Sequence, residues 1–116
     1  MARSDGVVTL TIADEGTLSD AGDISRFINA TMIMVTAWTS AAITFLGCDT
    51  LGGTYASIYD ATGTEVTIPA STHSGRAYEI PAAVMNFPYI KVRSGVLGST
   101  VTQSNGPYTI KICSKN

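Results

Sequence analysis

The single histidine, His73, lies in the loop Ser71-Thr72-His73-Ser74-Gly75, flanked by serines on both sides. An imidazole close to hydroxyls is the first requirement of nucleophilic acyl transfer. A Ser–His–Asp site is arithmetically open, but no Gly-x-Ser-x-Gly elbow exists to raise a serine out of a strand. His73 therefore reads as an exposed loop residue. Paired carboxylates for glycoside cleavage would have to come from Glu65, Glu79 and the loop aspartates. Glu65 and Glu79 each stand beside a turn or strand end, where a solvated carboxylate is the ordinary state. The stretch Asp14–Asp23 gathers Asp14, Glu15, Asp20 and Asp23, hard oxygen donors of the kind calcium takes. It lacks the fixed spacing and glycine of a dedicated calcium loop. One histidine and two distant cysteines, Cys48 and Cys113, do not compose a zinc set. Their spacing suggests no disulfide framework, so both read as free thiols. Gly52-Gly53 falls in a hairpin rather than before a helix, which removes a phosphate-cradling loop. The expectation is a protein that is not an enzyme and has no cofactor, with calcium in the Asp14–Asp23 loop the one metal left open.

The aromatic residues are the remaining route to a ligand. A carbohydrate-binding surface needs exposed rings on a flat face or loop, and the candidates are Trp38, Tyr55, Tyr59, Tyr78, Tyr89 and Tyr108. Most fall at strand spacing and read as core or rim packing. Trp38, at a strand end, is either a plug in one end of the fold or a contact residue.

These residues must be positioned by strands. Gly6–Ala13 (GVVTLTIA) alternates, with Val8, Leu10 and Ile12 on one face and Thr9 and Thr11 on the other. Asp14–Asp23 reads as a turn-rich segment and Ile24–Ile28 as a short strand. Thr31–Asp60 is the most apolar block and predicts three consecutive strands. In the first, Met32 and Met34 share one face and Ile33, Val35 and Ala37 the other. Both faces are apolar, so this strand is covered on both sides or meets another subunit. Ala42–Gly47 carries Ile43 and Phe45 inward, with Leu46 and Cys48 opposite. Asp49–Gly53 predicts a hairpin whose glycines take positive φ, and Thr54–Tyr59 predicts the return strand. A strand at Glu65–Ile68 should end at Pro69. Arg76–Ile80 reads as short and extended, and Pro81–Phe87 as one helical turn stopped by Pro88. Tyr89–Arg93 alternates with Ile90 and Val92 on one face. A weak strand follows at Ser99–Thr102, and Pro107–Cys113 closes the chain with Tyr108, Ile110 and Ile112 inward. About eight short strands separated by turns and almost no helix predict one all-β domain over residues 1–116. The expected form is a single antiparallel β-sandwich of jelly-roll type, with residues 1–5 as a flexible N-terminal arm.

Composition agrees. The 116 residues are 45% hydrophobic and only 14% charged, with a net charge of −2. Such a length buries a sizeable core without disulfides or metals. The charge gives no case for nucleic acid, no apolar run is long enough to cross a bilayer, and the polar Met1–Gly6 with no apolar run after a basic start leads to the expectation of no signal peptide. A surface rich in Thr, Ser, Gly and Ala can be covered by a partner at little desolvation cost. Residues 1–60 carry a net −5 and residues 61–116 a net +3, which suits head-to-tail contact if the halves separate in space.

The chain resembles a family of small structural proteins encoded in tailed-bacteriophage genomes. The resemblance is carried by Thr36-Ala-Trp-Thr-Ser-Ala-Ala-Ile-Thr-Phe45, Gly52-Gly-Thr-Tyr55, Ile58-Tyr-Asp60, Thr64-Glu-Val66, Pro81-Ala-Ala83 and Tyr89-Ile-Lys-Val-Arg-Ser-Gly95. These follow a Trp-Thr-x-Ala strand pair, a Gly-Gly-Thr hairpin, and an Arg-Ser-Gly strand followed by a glutamine, here Gln103. The likeness spans roughly residues 7–113 and departs at Cys48 and Leu51, where serine and aspartate are commoner. It implies a virion component: a decoration or cement protein on the outer head surface, assembled in the host cytoplasm. The implied partners are the major capsid protein and copies of itself as dimer or trimer, with neither nucleic acid nor membrane. The candidate interface residues are Trp38, Leu46, Leu51, Arg93 and Gln103. The rival expectation is a tail- or fibre-associated module that binds a carbohydrate or receptor.

Overall fold

Period-two alternation of β-branched and aliphatic residues governs nearly every element of the computed structural model, which describes residues 6–34, 38–71 and 75–114. The elements in chain order are β1 (Gly6–Ile12), β2 (Gly22–Asp23), β3 (Thr31–Ile33), β4 (Ala41–Cys48), β5 (Ala56–Ser57), β6 (Thr67–Ser71), β7 (Ala77–Glu79), a 3-10 turn (Val84–Asn86), β8 (Tyr89–Val96), β9 (Ser99–Thr100) and β10 (Tyr108–Ser114). All pairings are antiparallel. One sheet runs β1-β10-β3-β7. The other runs β2-β8-β4-β5, with β6 also on β4 and β9 on β8. Their inner faces meet in one core. Leu10, Ile12, Met32, Ile110 and Ile112 from the first sheet pack toward Ile43, Phe45, Ile90 and Val92 from the second. The protein is an all-β, antiparallel two-sheet sandwich.

Several expectations for single elements change. Ile24–Ile28 is a turn, not a strand: the Phe27 amide donates to the Ile24 carbonyl at 2.9 Å and Asp23 Oδ1 accepts from the Ser25 amide and hydroxyl. Ile24 and Phe27 are buried as isolated anchors, which a short apolar run cannot distinguish from a strand. The turn-rich reading of Asp14–Asp23 is also too loose. Leu18 bridges Arg93 and Gly22 pairs with Ile90, so this segment lies along β8 as the edge of the second sheet. Pro69 does not end a strand but sits inside β6. Proline is tolerated there because β6 is an edge, and the β4–β6 register shifts between Ala41 and Ile43. The predicted return strand Thr54–Tyr59 shrinks to Ala56–Ser57.

Gly52 and Gly53 do not take positive φ; Gly63, Gly75, Gly95 and Gly98 do. Gly53 is needed for space, since a Cβ there would lie 2.6 Å from Cys48 Sγ. The methionine face of β3 is covered within the chain, Met32 and Met34 both being buried, whereas Ile33 on the opposite face is exposed. Val35 and Ala37, the arm at residues 1–5, and His73 lie outside the described residues.

Candidate functional site

The alternation of β8 places Arg93 on the outer face of the second sheet, opposite Thr44 of β4 and Leu18 of the edge segment. Arg93 Nε donates to Thr44 Oγ1 at 2.9 Å, and its Nη2 makes a very short ion pair with Glu65. Glu65 is delivered by the turn after Tyr59. There Asp60 Oδ1 accepts from the amides of Thr62 and Thr64 and from the Thr62 hydroxyl, and Gly63 turns at φ 82°. Those hydrogen bonds, the Thr62 hydroxyl first, hold the Asp60 carboxyl below the usual carboxylate range. The Leu97 amide lies 3.3 Å from Glu65 Oε1, so the carboxylate joins three segments.

On the inner face, next along β8, Ser94 meets Gln103. The Gln103 amide nitrogen donates to Ser94 Oγ at 3.0 Å and to the Thr39 carbonyl at 2.9 Å, and its oxygen accepts from the Thr39 amide at 2.9 Å. Gln103 is fully buried, and its backbone bonds Gly16 and Glu15 as well. Gly95 turns at φ 98°, and a Cβ there would lie 2.5 Å from the Ser99 carbonyl oxygen. The Arg-Ser-Gly strand and the late glutamine thus form one structural knot at a single end of the sandwich. Trp38 closes the same end, 4% exposed and edge-on to Tyr108 with centroids 6.3 Å apart.

The five candidate interface residues therefore separate. Trp38, Arg93 and Gln103 are enclosed by their own chain: Trp38 and Gln103 fill space around Tyr108, Ser94 and Thr39, and Arg93 is covered on the outer face by Glu65. They are not available as a contact surface, and Trp38 offers no exposed platform to a sugar ring. Leu46 is half-buried on the outer face, opposite Lys91. Leu51 is 58% exposed at the hairpin tip, where the Tyr55 hydroxyl donates to its carbonyl at 2.8 Å. Lys91 Nζ stands 4.6 Å from the centre of the Tyr55 ring beside that hairpin.

The carboxylates of the Asp14–Asp23 loop do not converge. Asp14 accepts from the Gly106 amide, Asp20 from the Thr11 amide and Asp23 from Ser25, each locking a different turn. The Ser25 bonds hold Asp23 below the usual carboxylate range. Among the described residues no three side chains of metal-ligand type gather. Glu79 lies on the rim of two shallow depressions of about 290 and 350 Å³, which also share Asn29; Ile28 and Met85 line the second.

One surface was not singled out from sequence: the outer face of the first sheet. The register aligns Val7, Cys113, Thr31 and Glu79 in one cross-strand row, and Thr9, Lys111, Ile33 and Ala77 in the next. Among these described residues only Lys111 and Glu79 are charged, and all but the half-buried Cys113 are exposed. The alternation of each strand was readable. Which four strands lie side by side was not, because β1 and β10 come from opposite ends of the chain.

Compared with protein families, curated proteins and solved structures, the chain matches none.

Proposed function

We propose that this chain is a non-enzymatic structural protein of a tailed-phage virion, a decoration or cement protein that binds the outer head surface. The observation that carries the reading is the outer face of the first sheet. It is broad, its two cross-strand rows carry one cation, Lys111, and one anion, Glu79, and Val7 and Ile33 are exposed on it. A partner covers such a face without stripping water from many charges. Contact with several copies of the major capsid protein at once raises avidity without any single strong site.

The strand order supports a jelly roll for this role. Take β5 and β6 as one broken strand beside β4, and set the short β9 aside. The first sheet then holds the first, eighth, third and sixth strands, and the second sheet the second, seventh, fourth and fifth. That interleaving of chain ends and middle supports reading the sandwich as a jelly roll, an architecture that capsid domains use. The exposed Leu51 tip supplies a second apolar contact.

The test is co-sedimentation of the purified protein with heads that lack it, followed by heating. Binding is expected, together with a higher rupture temperature of the decorated heads. Leu51→Asp should weaken binding while leaving the free protein folded. Absence of the protein from purified heads, with no binding to bare ones, overturns the reading.

A further inference from the structure

We propose that β1 pairs with β1 of a second copy of this chain, antiparallel about a two-fold axis at Val8, through the backbone groups of Val7 and Thr9. This pairing does not depend on the virion reading.

Among the described residues β1 pairs with β10 on one side, and on the other only its C-terminal end is met, by the Ile12–Ser19 bridge and by Asp20 at Thr11. Its peptide groups alternate between the two sides. Thr11 shows which residues face outward: its amide donates to Asp20 Oδ1 at 2.8 Å and its carbonyl accepts from the Asp20 amide at 3.2 Å. By the same period, Val7 and Thr9 turn their N–H and C=O groups to the open side, while Val8 and Leu10 bond β10. Among the described residues Ser19 and Asp20 cover the edge at Ile12 and Thr11, and Arg26 and Phe27 stand beside Gly6, which leaves Val7 and Thr9 open. Val7 is 61% exposed and Thr9 is exposed beside it.

Natural edges are blunted by charge, proline or a bulge. The sequence GVVTLTI has no charge and no proline, and its pairing with β10 runs in unbroken register from Gly6 to Ile12. Five of the seven residues (Val7, Val8, Thr9, Thr11 and Ile12) are β-branched. The strand is built to be paired, and the spacing of its open groups names the partner. In an antiparallel pair, facing residues whose groups point at each other exchange two hydrogen bonds. Val7 opposite Thr9 of the second copy, and Thr9 opposite its Val7, satisfies every open group on both chains with about four bonds. Sliding toward the C-terminus brings in Thr11, which Asp20 already occupies. An edge with two open residues around a central one is thus complementary to itself, as an isologous contact requires. The product is a continuous sheet joining the two bare outer faces.

Sedimentation velocity over micromolar concentrations tests this. The wild-type chain is expected to reach twice its 12.1 kDa mass. Thr9→Pro removes a donor aimed at the edge and no bond to β10, and proline is accepted at such positions. It is expected to return the protein to single-chain mass with an unchanged far-UV spectrum. A charge swap guards against misfolding of that variant. Val7→Lys with Thr9→Lys, and Val7→Glu with Thr9→Glu, should each be monomeric alone and form the doubled mass when mixed. Amide exchange gives the register: Val7 and Thr9 should slow as concentration rises, while Val8 and Leu10 stay protected throughout. A wild type that remains a single chain up to about 100 µM overturns the proposal, since even small interfaces are populated there. So does a dimer in which the Val7 and Thr9 amides exchange freely.

Discussion

On the outer face of the first sheet, Thr9, Lys111, Ile33 and Ala77 stand in one cross-strand row, all exposed. On the outer face of the second, the comparable row is Leu18, Arg93, Thr44 and Thr67, and there Arg93 and Thr44 are buried. Each row carries one cation from an alternating strand of similar composition. The difference lies in what the chain does next. The turn from Asp60 to Glu65 brings a carboxylate over Arg93, whereas Lys111 has no comparable segment above it among the described residues. One face has become a second, polar interior. The other is left as surface. A polar residue on an outward strand position is thus an exposed surface residue on one sheet and a structural one on the other.

Substitutions on both faces and in the core, and one acid titration, break or sharpen that contrast. Glu65→Ala should have the largest effect, because it leaves the Arg93 guanidinium buried without its counter-charge; a loss of about 3 kcal/mol is expected. Urea unfolding reads it, and adding Arg93→Met should recover a large part. Gln103→Ala should cost about 2–3 kcal/mol, since the Thr39 amide and carbonyl and Ser94 lose a buried partner. It should also change the near-UV spectrum of Trp38, which closes the same end.

Gly47→Ala points a Cβ at the Phe87 ring, 2.4 Å away, and should cost about 1–3 kcal/mol through overpacking. Acid should act more gently. Asp60 has a depressed folded pKa, so its contribution is present above the unfolded carboxylate pKa and is lost as pH falls through the folded one. Asp60→Ala should flatten the acid limb of the stability–pH curve. On the bare face, Ile33→Thr should change monomer stability by no more than about 0.5 kcal/mol. A large loss there would mean that the face is not surface at all.

The motif residues show how far sequence reading reached. Arg93-Ser94-Gly95 and Gln103 stood out by type and order, and that prominence suggested contact. Their roles are internal: Arg93 pairs with Glu65, Ser94 and Gln103 tie down Thr39, and Gly95 supplies a positive φ beside the Ser99 carbonyl. The roles of Arg93, Ser94 and Gln103 depend on partners 9 to 64 positions away, which local spacing does not encode. The bare face was missed for the opposite reason. Its threonines are unremarkable singly and become a surface only when β1, β10, β3 and β7 lie side by side.

Alternation by itself determined the all-β class, the inward residues of β1, β4, β8 and β10, and the 3-10 turn between Pro81 and Pro88. These follow from side-chain period and from turn chemistry, which act over a few neighbours. Tertiary structure alone decided that Ile24–Ile28 is a turn, that Pro69 lies within a strand, and that Asp14–Asp23 forms an edge. It also decided which polar outer positions are buried. All of these depend on the element packed alongside, and in an antiparallel sandwich that element comes from far away in the chain.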